Sequence, residues 1–123
     1  LYRRADFLSL HIPATPQTKG SIGYDLITSM PKGATLVNTA RKEVIDEAGL
    51  CKALAERDDI KYVSDVAPDC CADLCNCAGK RYFATPKKMG AETAEANINA
   101  GLAAARQIVD FFATGNRRFQ VNK

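Results

Sequence analysis

The sequence contains no run of about 18 apolar residues, which excludes a membrane-spanning helix. It contains no GxGxxG, no P-loop and no HExxH, so no complete dinucleotide fingerprint, nucleotide-triphosphate loop or zincin motif lies within its 123 residues. A large excess of one charge is also missing. Seventeen Lys and Arg stand against 14 Asp and Glu, a net charge of +3, and apart from Arg3-Arg4, Lys87-Lys88 and Arg117-Arg118 the basic residues are scattered. A nucleic-acid footprint is a stripe or a larger excess, so no nucleic-acid partner is expected and a small anionic ligand fits the balance better. The opening LYRRADFLSLHIP has neither an initiator Met nor a signal-peptide layout and reads as a start in mid-protein.

Five cysteines are present, and four of them, Cys70, Cys71, Cys75 and Cys77, crowd into CCADLCNC. An odd count without a secretion signal argues for a reducing compartment and free thiols, hence a cytoplasmic location. Structural zinc sites draw pairs of ligands from two separate elements. Four sulfurs from one short stretch do not match that spacing, so no metal is expected and residues 67–81 are read as a polar, Cys-rich loop.

What is there is ordinary in bulk, with 46% hydrophobic and 25% charged residues, typical of a soluble globular chain. Short apolar runs at 6–12, 34–40, 61–66 and within RYFATP read as strands. Tyr24, Ile27 and Met30 have helical spacing, and Pro31-Lys32-Gly33 stops that helix. Asp46 is placed to cap a second helix running to about Arg57, with Leu50 and Leu54 on one face. From about Met89 to Ala113 runs the longest helix, with Ile98, Leu102, Ala105, Val109 and Phe112 on one stripe. That stripe is read as a core face, with an interdomain or dimer face as the alternative.

Alternating strands and helices imply a parallel sheet joined by right-handed crossovers. Ligands bind such sheets outside the carboxyl ends of the strands. Those ends carry His11 and Pro13, then Asn38 to Arg41, then Asp65, then Thr85 to Lys88. Arg41 is suited to grip a carboxylate in a fork of parallel hydrogen bonds, and Asp65 to orient a polar ligand group. Two adjacent lysines, Lys87 and Lys88, depress each other's pKa if they stay close, which suits one of them to acid/base work; the alternative is that both are simply solvated. His11, the single histidine, is an acid/base candidate or a loop-shaping residue.

Four segments, LSLHIPATPQTKGSIG, GATLVNTARKEVIDEAGL, SDVAPD and ATPKKMGAET, together resemble the D-isomer-specific 2-hydroxyacid dehydrogenases. Their order and spacing are nearest to the phosphoglycerate dehydrogenase branch of that family. The resemblance covers nearly the whole chain, and NTARKEVIDE is its most specific piece. It implies an α/β fold: part of a Rossmann-like parallel sheet with flanking helices and a long C-terminal helix. Residues 1–88 are then the second half of an NAD-binding domain, and residues 89–123 a returning helix and tail of the substrate domain.

The resemblance further implies a catalytic arginine at Arg41, a cofactor-contacting aspartate at Asp65, and Thr39 and Ala40 lining the nicotinamide side through their backbone. His11 and Pro13 fall on the cofactor-side wall. Most members carry an acid/base histidine in TPHxG. Here TPKKMG has one extra residue. Counting back from Gly90, which opens the following helix, the histidine position falls on Lys88; counting forward from Thr85-Pro86 it falls on Lys87. The glycine anchor is preferred, which makes Lys88 the acid/base and puts Lys88 and Gly90 in the cofactor set.

Two departures stand out. Cys70, preceded by Asp69, occupies the place of the family's glutamate, and Lys42-Glu43 follow the arginine where glycines are usual. The implied cofactor is NAD, the implied substrate a phosphorylated 2-hydroxy acid, most closely 3-phosphoglycerate of serine biosynthesis, and the implied assembly a homodimer. The family's glycine-rich fingerprint is expected upstream of Leu1. The 123 residues by themselves are therefore expected to be inactive, or to serve as a non-catalytic binding module.

Overall fold

Four strands, β1 (Phe7–Leu10), β2 (Thr35–Asn38), β3 (Lys61–Ser64) and β4 (Tyr82–Ala84), lie side by side in sequence order and all run parallel. Parallel neighbours need a crossover, and the crossovers carry α1 (Tyr24–Thr28), α2 (Glu47–Glu56) and α3 (Cys71–Ala78). The computed structural model describes residues 1–86 and 93–122, which fall into two compact units, Leu1–Lys88 and Met89–Lys123.

Because the strand order never reverses, right-handed crossovers put the three helices on the same face of the sheet. Accordingly α1 packs on α2 and α2 on α3. Strand alternation sends Leu8, Leu10, Leu36 and Tyr62 toward that layer, where they meet Ile27, Leu50, Leu54 and Leu74 in one buried cluster. Burying a side chain of this size contributes about 1.5–3 kcal/mol. The other face is open among the described residues: Phe7 and Phe83 are 79% and 61% exposed.

The crossovers close tightly. A Cβ on Gly49 of α2 would lie 2.7 Å from the backbone nitrogen of Tyr24, so only glycine lets α1 and α2 approach this closely. Gly33 has φ +78°, and its N–H donates to Asp59 Oδ2 at 2.7 Å. Asp59 in turn receives both Nε and Nη2 of Arg57, at 2.8 and 2.7 Å. The Arg57 guanidinium beside it and the Gly33 amide hold the Asp59 carboxyl well below the usual carboxylate range. Arg81, just before β4, donates to the carbonyls of Arg57, Ile60, Leu54 and Cys77 at 2.9–3.1 Å.

The structure corrects two expectations. Residues 67–81 are not a loop, because they contain α3 followed by a 3₁₀ turn, Gly79–Arg81. Leu74 and Ala78, one turn apart, are buried and hold the helix to the core. The long helix α4 (Ala94–Thr114) buries no residue: Ile98, Leu102, Val109 and Phe112 are 49–81% exposed, so its apolar stripe is not a core face within its own unit. Thr93 caps α4, its Oγ1 accepting the Ala96 N–H at 3.1 Å, and Gly115 ends it at φ +71°. The start expected near Met89 lies outside the described residues. Asp46 is the residue preceding α2, as expected, but its side chain makes no capping hydrogen bond. No described helix is long and apolar enough to cross a membrane.

Candidate active site

The carboxyl ends of β2, β3 and β4 are laced together by backbone. Asp65 N–H donates to the Asn38 carbonyl at 3.2 Å, Thr85 N–H to the Ser64 carbonyl at 3.1 Å, and Ala67 N–H to the Thr85 carbonyl at 3.1 Å. Thr85 Oγ1 donates to the Asp65 carbonyl at 2.5 Å. Asn38, Asp65 and Thr85, distant in sequence, therefore share one edge of the sheet.

Asn38 is the organiser of the turn that follows β2. Its side chain is buried. Oδ1 accepts the Ala40 N–H at 3.1 Å, and Nδ2 donates to the Arg41 carbonyl at 3.0 Å and contacts the Tyr62 hydroxyl at 3.4 Å. A side chain that bonds the backbone two residues on imitates a turn, and this one ties the backbone of Ala40 and Arg41 back to the end of β2. Arg41 is thereby held at the rim, exposed, with Nη1 donating to the Ala40 carbonyl at 3.0 Å and its other donors directed by a planar fork.

Opposite this turn runs the segment after β1. His11, Ile12, Pro13, Ala14, Ala40 and Arg41 line one cleft of about 480 Å³. Ser9 Oγ and His11 Nε2 lie 2.8 Å apart, which orients the ring. Thr18 Oγ1 donates to the Pro13 carbonyl at 2.6 Å and pins the opposite wall. Of the residues singled out in the sequence, Pro13, Ala40 and Arg41 thus line one cleft, Thr39 belongs to its turn, and Asp65 sits at the neighbouring strand end. Lys88 and Gly90, with Lys87, lie outside the described residues.

Sequence reading missed two contacts at this edge. Lys42 Nζ is 2.6 Å from Asp69 Oδ1, and the Glu47 carboxylate accepts the N–H groups of Asp69 and Cys70 at 3.0 and 2.8 Å. Both join segments more than 20 residues apart, and no local motif announces them. The cysteines are all free thiols. Burial pushes the Cys51 and Cys70 thiols up, and Cys77 Sγ reaches the Cys51 carbonyl at 3.9 Å. No group of three or more His, Cys, Asp or Glu among the described residues is arranged to hold a metal ion. In the second unit, a hollow of about 700 Å³ is lined by Phe111, Phe112, Phe119 and neighbouring side chains at the end of α4.

Residues 1–73 match the family described as D-isomer specific 2-hydroxyacid dehydrogenase, NAD binding domain. The chain belongs to this family. D-3-phosphoglycerate dehydrogenase of Escherichia coli (strain K12) is 32% identical to it over 99% of the chain and 31% of that protein. The enzyme of the same name from Methanocaldococcus jannaschii is 40% identical over 88% of the chain and 21% of that protein. The crystal structure of NAD+-bound 3-phosphoglycerate dehydrogenase of Entamoeba histolytica superposes with a TM-score of 0.80 and 53% identity, covering 99% of the chain and 40% of that chain. The chain therefore spans about a third or less of the curated relatives it matches. The Rossmann-like α/β class expected from the sequence is the class observed.

The cofactor of this family's domain is NAD. The residues present suit the nicotinamide end of such a molecule. Pro13, Ala14 and Ala40 offer apolar surface beside the exposed Arg41 cation. Among the described residues no donor occupies the Asp65 carboxylate, which leaves it able to accept. The glycine-rich turn that would cradle a pyrophosphate is not among these 123 residues.

Proposed function

We propose that this chain supplies the catalytic edge of an NAD-dependent D-2-hydroxyacid dehydrogenase acting on 3-phosphoglycerate, the entry reaction of serine biosynthesis. The reading rests on one observation above others: the buried Asn38 side chain presents Arg41 at the rim of a cleft whose other wall is His11 to Ala14, beside the strand end that carries Asp65. A bound NAD would supply the acceptor for the hydride leaving the substrate's C2. Arg41 holds the substrate carboxylate in its fork and withdraws charge from the adjacent oxygen. Asp65 accepts hydrogen bonds from a polar group of the cofactor, and Pro13, Thr39, Ala40 and Gly90 shape the surface around it. Lys88, as a neutral amine, takes the hydroxyl proton during oxidation and returns it during reduction. The Lys87 ammonium favours an anionic phosphate nearby.

The same reading assigns residues 1–88 to the nucleotide domain and 89–123 to the helix and tail of the substrate domain, in a homodimeric cytoplasmic enzyme. The test is direct. The complete protein, given NAD and a panel of 2-hydroxy acids, should form NADH fastest with 3-phosphoglycerate, followed at the nicotinamide absorbance. Equal rates with unphosphorylated acids would assign a different substrate, and no turnover with any would reject the reading. The 123-residue chain tested alone should show none, since it holds no pyrophosphate cradle.

A further inference from the structure

Helix α3 begins without a cap of its own. The thiol of Cys70, the residue preceding it, makes no capping hydrogen bond, and the first amides of a helix have no partner within it. The Cys71 N–H donates to the Pro68 carbonyl at 3.2 Å, and the Cys70 N–H finds its partner on another helix. Glu47, the first residue of α2, takes the Asp69 N–H on Oε1 and the Cys70 N–H on Oε2, at 3.0 and 2.8 Å. Both carboxylate oxygens are engaged, so the link is two-pronged and charge-assisted. The carboxylate also sits at the N-terminal ends of two helices at once, where backbone dipoles favour negative charge.

A second tie runs alongside. Lys42, next to Arg41, meets Asp69 at 2.6 Å. It joins the two places where the chain departs from its family's pattern. Lys42 follows the arginine where glycine is usual, and Asp69 adjoins the cysteine that replaces a glutamate. The side chains of Lys42 and Asp69 are 35% and 79% exposed, and exposed pairs of this kind contribute little. Glu47, half-buried and bonded to two amides, carries more.

Only Val66, Ala67 and Pro68 separate Asp65 from this clamp, and they are stiff. Ser64 Oγ donates to the Val66 carbonyl at 2.7 Å, Ala67 N–H donates to Thr85, and Pro68 is buried. We propose that Glu47 is a positioning residue for Asp65, locking the 65–70 segment against the segment that leads out of Arg41. The proposal rests on the dehydrogenase reading of this edge, in which Asp65 meets the cofactor.

Two measurements on the complete protein test it: amide hydrogen exchange at residues 65–70, and NADH affinity by fluorescence titration. Glu47→Ala should speed exchange at Asp69 and Cys70 and as far back as Asp65, and should weaken NADH binding about tenfold, or about 1.4 kcal/mol. Glu47→Gln keeps one accepting oxygen and should fall between it and the wild type. Lys42→Met should stay near the wild type. In a folded Glu47→Ala protein, wild-type exchange at Asp65 or wild-type NADH affinity overturns the proposal, even if the melting temperature drops. Should that variant fail to fold, Glu47→Asp, which withdraws the carboxylate by one methylene, is read by the same two outcomes. A wild-type protein that does not bind NADH rejects the dehydrogenase reading instead, and exchange at Asp65 then judges the clamp by itself.

Discussion

Asn38 Nδ2 donates to the Arg41 carbonyl at 3.0 Å while its Oδ1 accepts the Ala40 N–H at 3.1 Å, so one buried amide sets both ends of the turn that aims the arginine. Asn38→Ala leaves those groups and the Tyr62 hydroxyl without this partner, at a cost of about 1–3 kcal/mol in stability. It should also lower kcat/KM in the complete enzyme, because Arg41 loses its fixed approach. Asn38→Asp keeps the acceptor and loses the donor, and should fall between. Urea unfolding and steady-state kinetics on the two variants check the order.

Under the proposed function the two lysines should divide by role. Lys88→Met should lower kcat by about 10²–10⁴-fold, the range for losing a general acid/base. Lys87→Met should mainly raise KM, since it removes a charge near an anionic ligand. Lys88→His should recover part of the activity with its pH profile moved down toward the imidazole range. A kcat loss confined to Lys87→Met would show that the Thr-Pro anchor sets the register. No loss in either variant returns His11 as the candidate.

Stability should fall on acidification through Asp59. Its carboxyl is held below the usual value by Arg57 and by the Gly33 amide. A carboxyl whose folded pKa is lowered contributes stability above its unfolded pKa, about 4, and loses it as pH falls from there toward the folded value. Asp59→Asn should therefore be less stable than wild type at pH 7, with the gap narrowing below about pH 4. Melting curves across that range decide; a constant gap would assign the acid sensitivity elsewhere.

The thiols should react in an order set by exposure. Cys75 is exposed, whereas Cys51, Cys70, Cys71 and Cys77 are half-buried, and burial raises the Cys51 and Cys70 thiols. A thiol reagent should label one cysteine quickly in the native protein and all five in denaturant. A chelator should leave the melting temperature unchanged. Zinc released together with stability would contradict the free-thiol reading.

The 123-residue chain by itself should self-associate. Phe7 and Phe83 stand on an uncovered sheet face, and α4 exposes Ile98, Val109 and Phe112. Exposed apolar surface of this kind drives association. Light scattering coupled to size-exclusion chromatography should report a mass above the 13.3 kDa monomer. A monodisperse monomer at micromolar concentration would refute this.

The strands, the parallel order and the placing of Asn38, Asp65 and Thr85 at the strand ends were legible because each rests on a local signal: short apolar runs, turn residues between them, and the alternation of elements. The helix α3 was not. Its buried stripe is only Leu74 and Ala78, set among Cys, Asp and Asn, which are weak helix formers, and the two residues that lead into it, Asp69 and Cys70, are held by Glu47 from another helix. The stripe on α4 was legible as a pattern but not as a location, since periodicity tells that a face is apolar and not what covers it. Asn38 was visible as part of NTAR, yet its hold on Arg41 is a matter of side-chain orientation that no spacing encodes.

Arg81 gathers the carbonyls of Leu54, Arg57, Ile60 and Cys77 onto one guanidinium. The end of α2, the approach to β3 and the end of α3 therefore cannot fray one at a time. Losing that single cation strands four carbonyls at once, so the three segments should open as one cooperative unit or not at all. Insertions into any of them are constrained together: a residue added near Arg57 would pull the α3 terminus out of reach as well. That junction lies at the amino ends of β3 and β4, the opposite ends of the strands whose carboxyl ends carry Asp65 and Thr85.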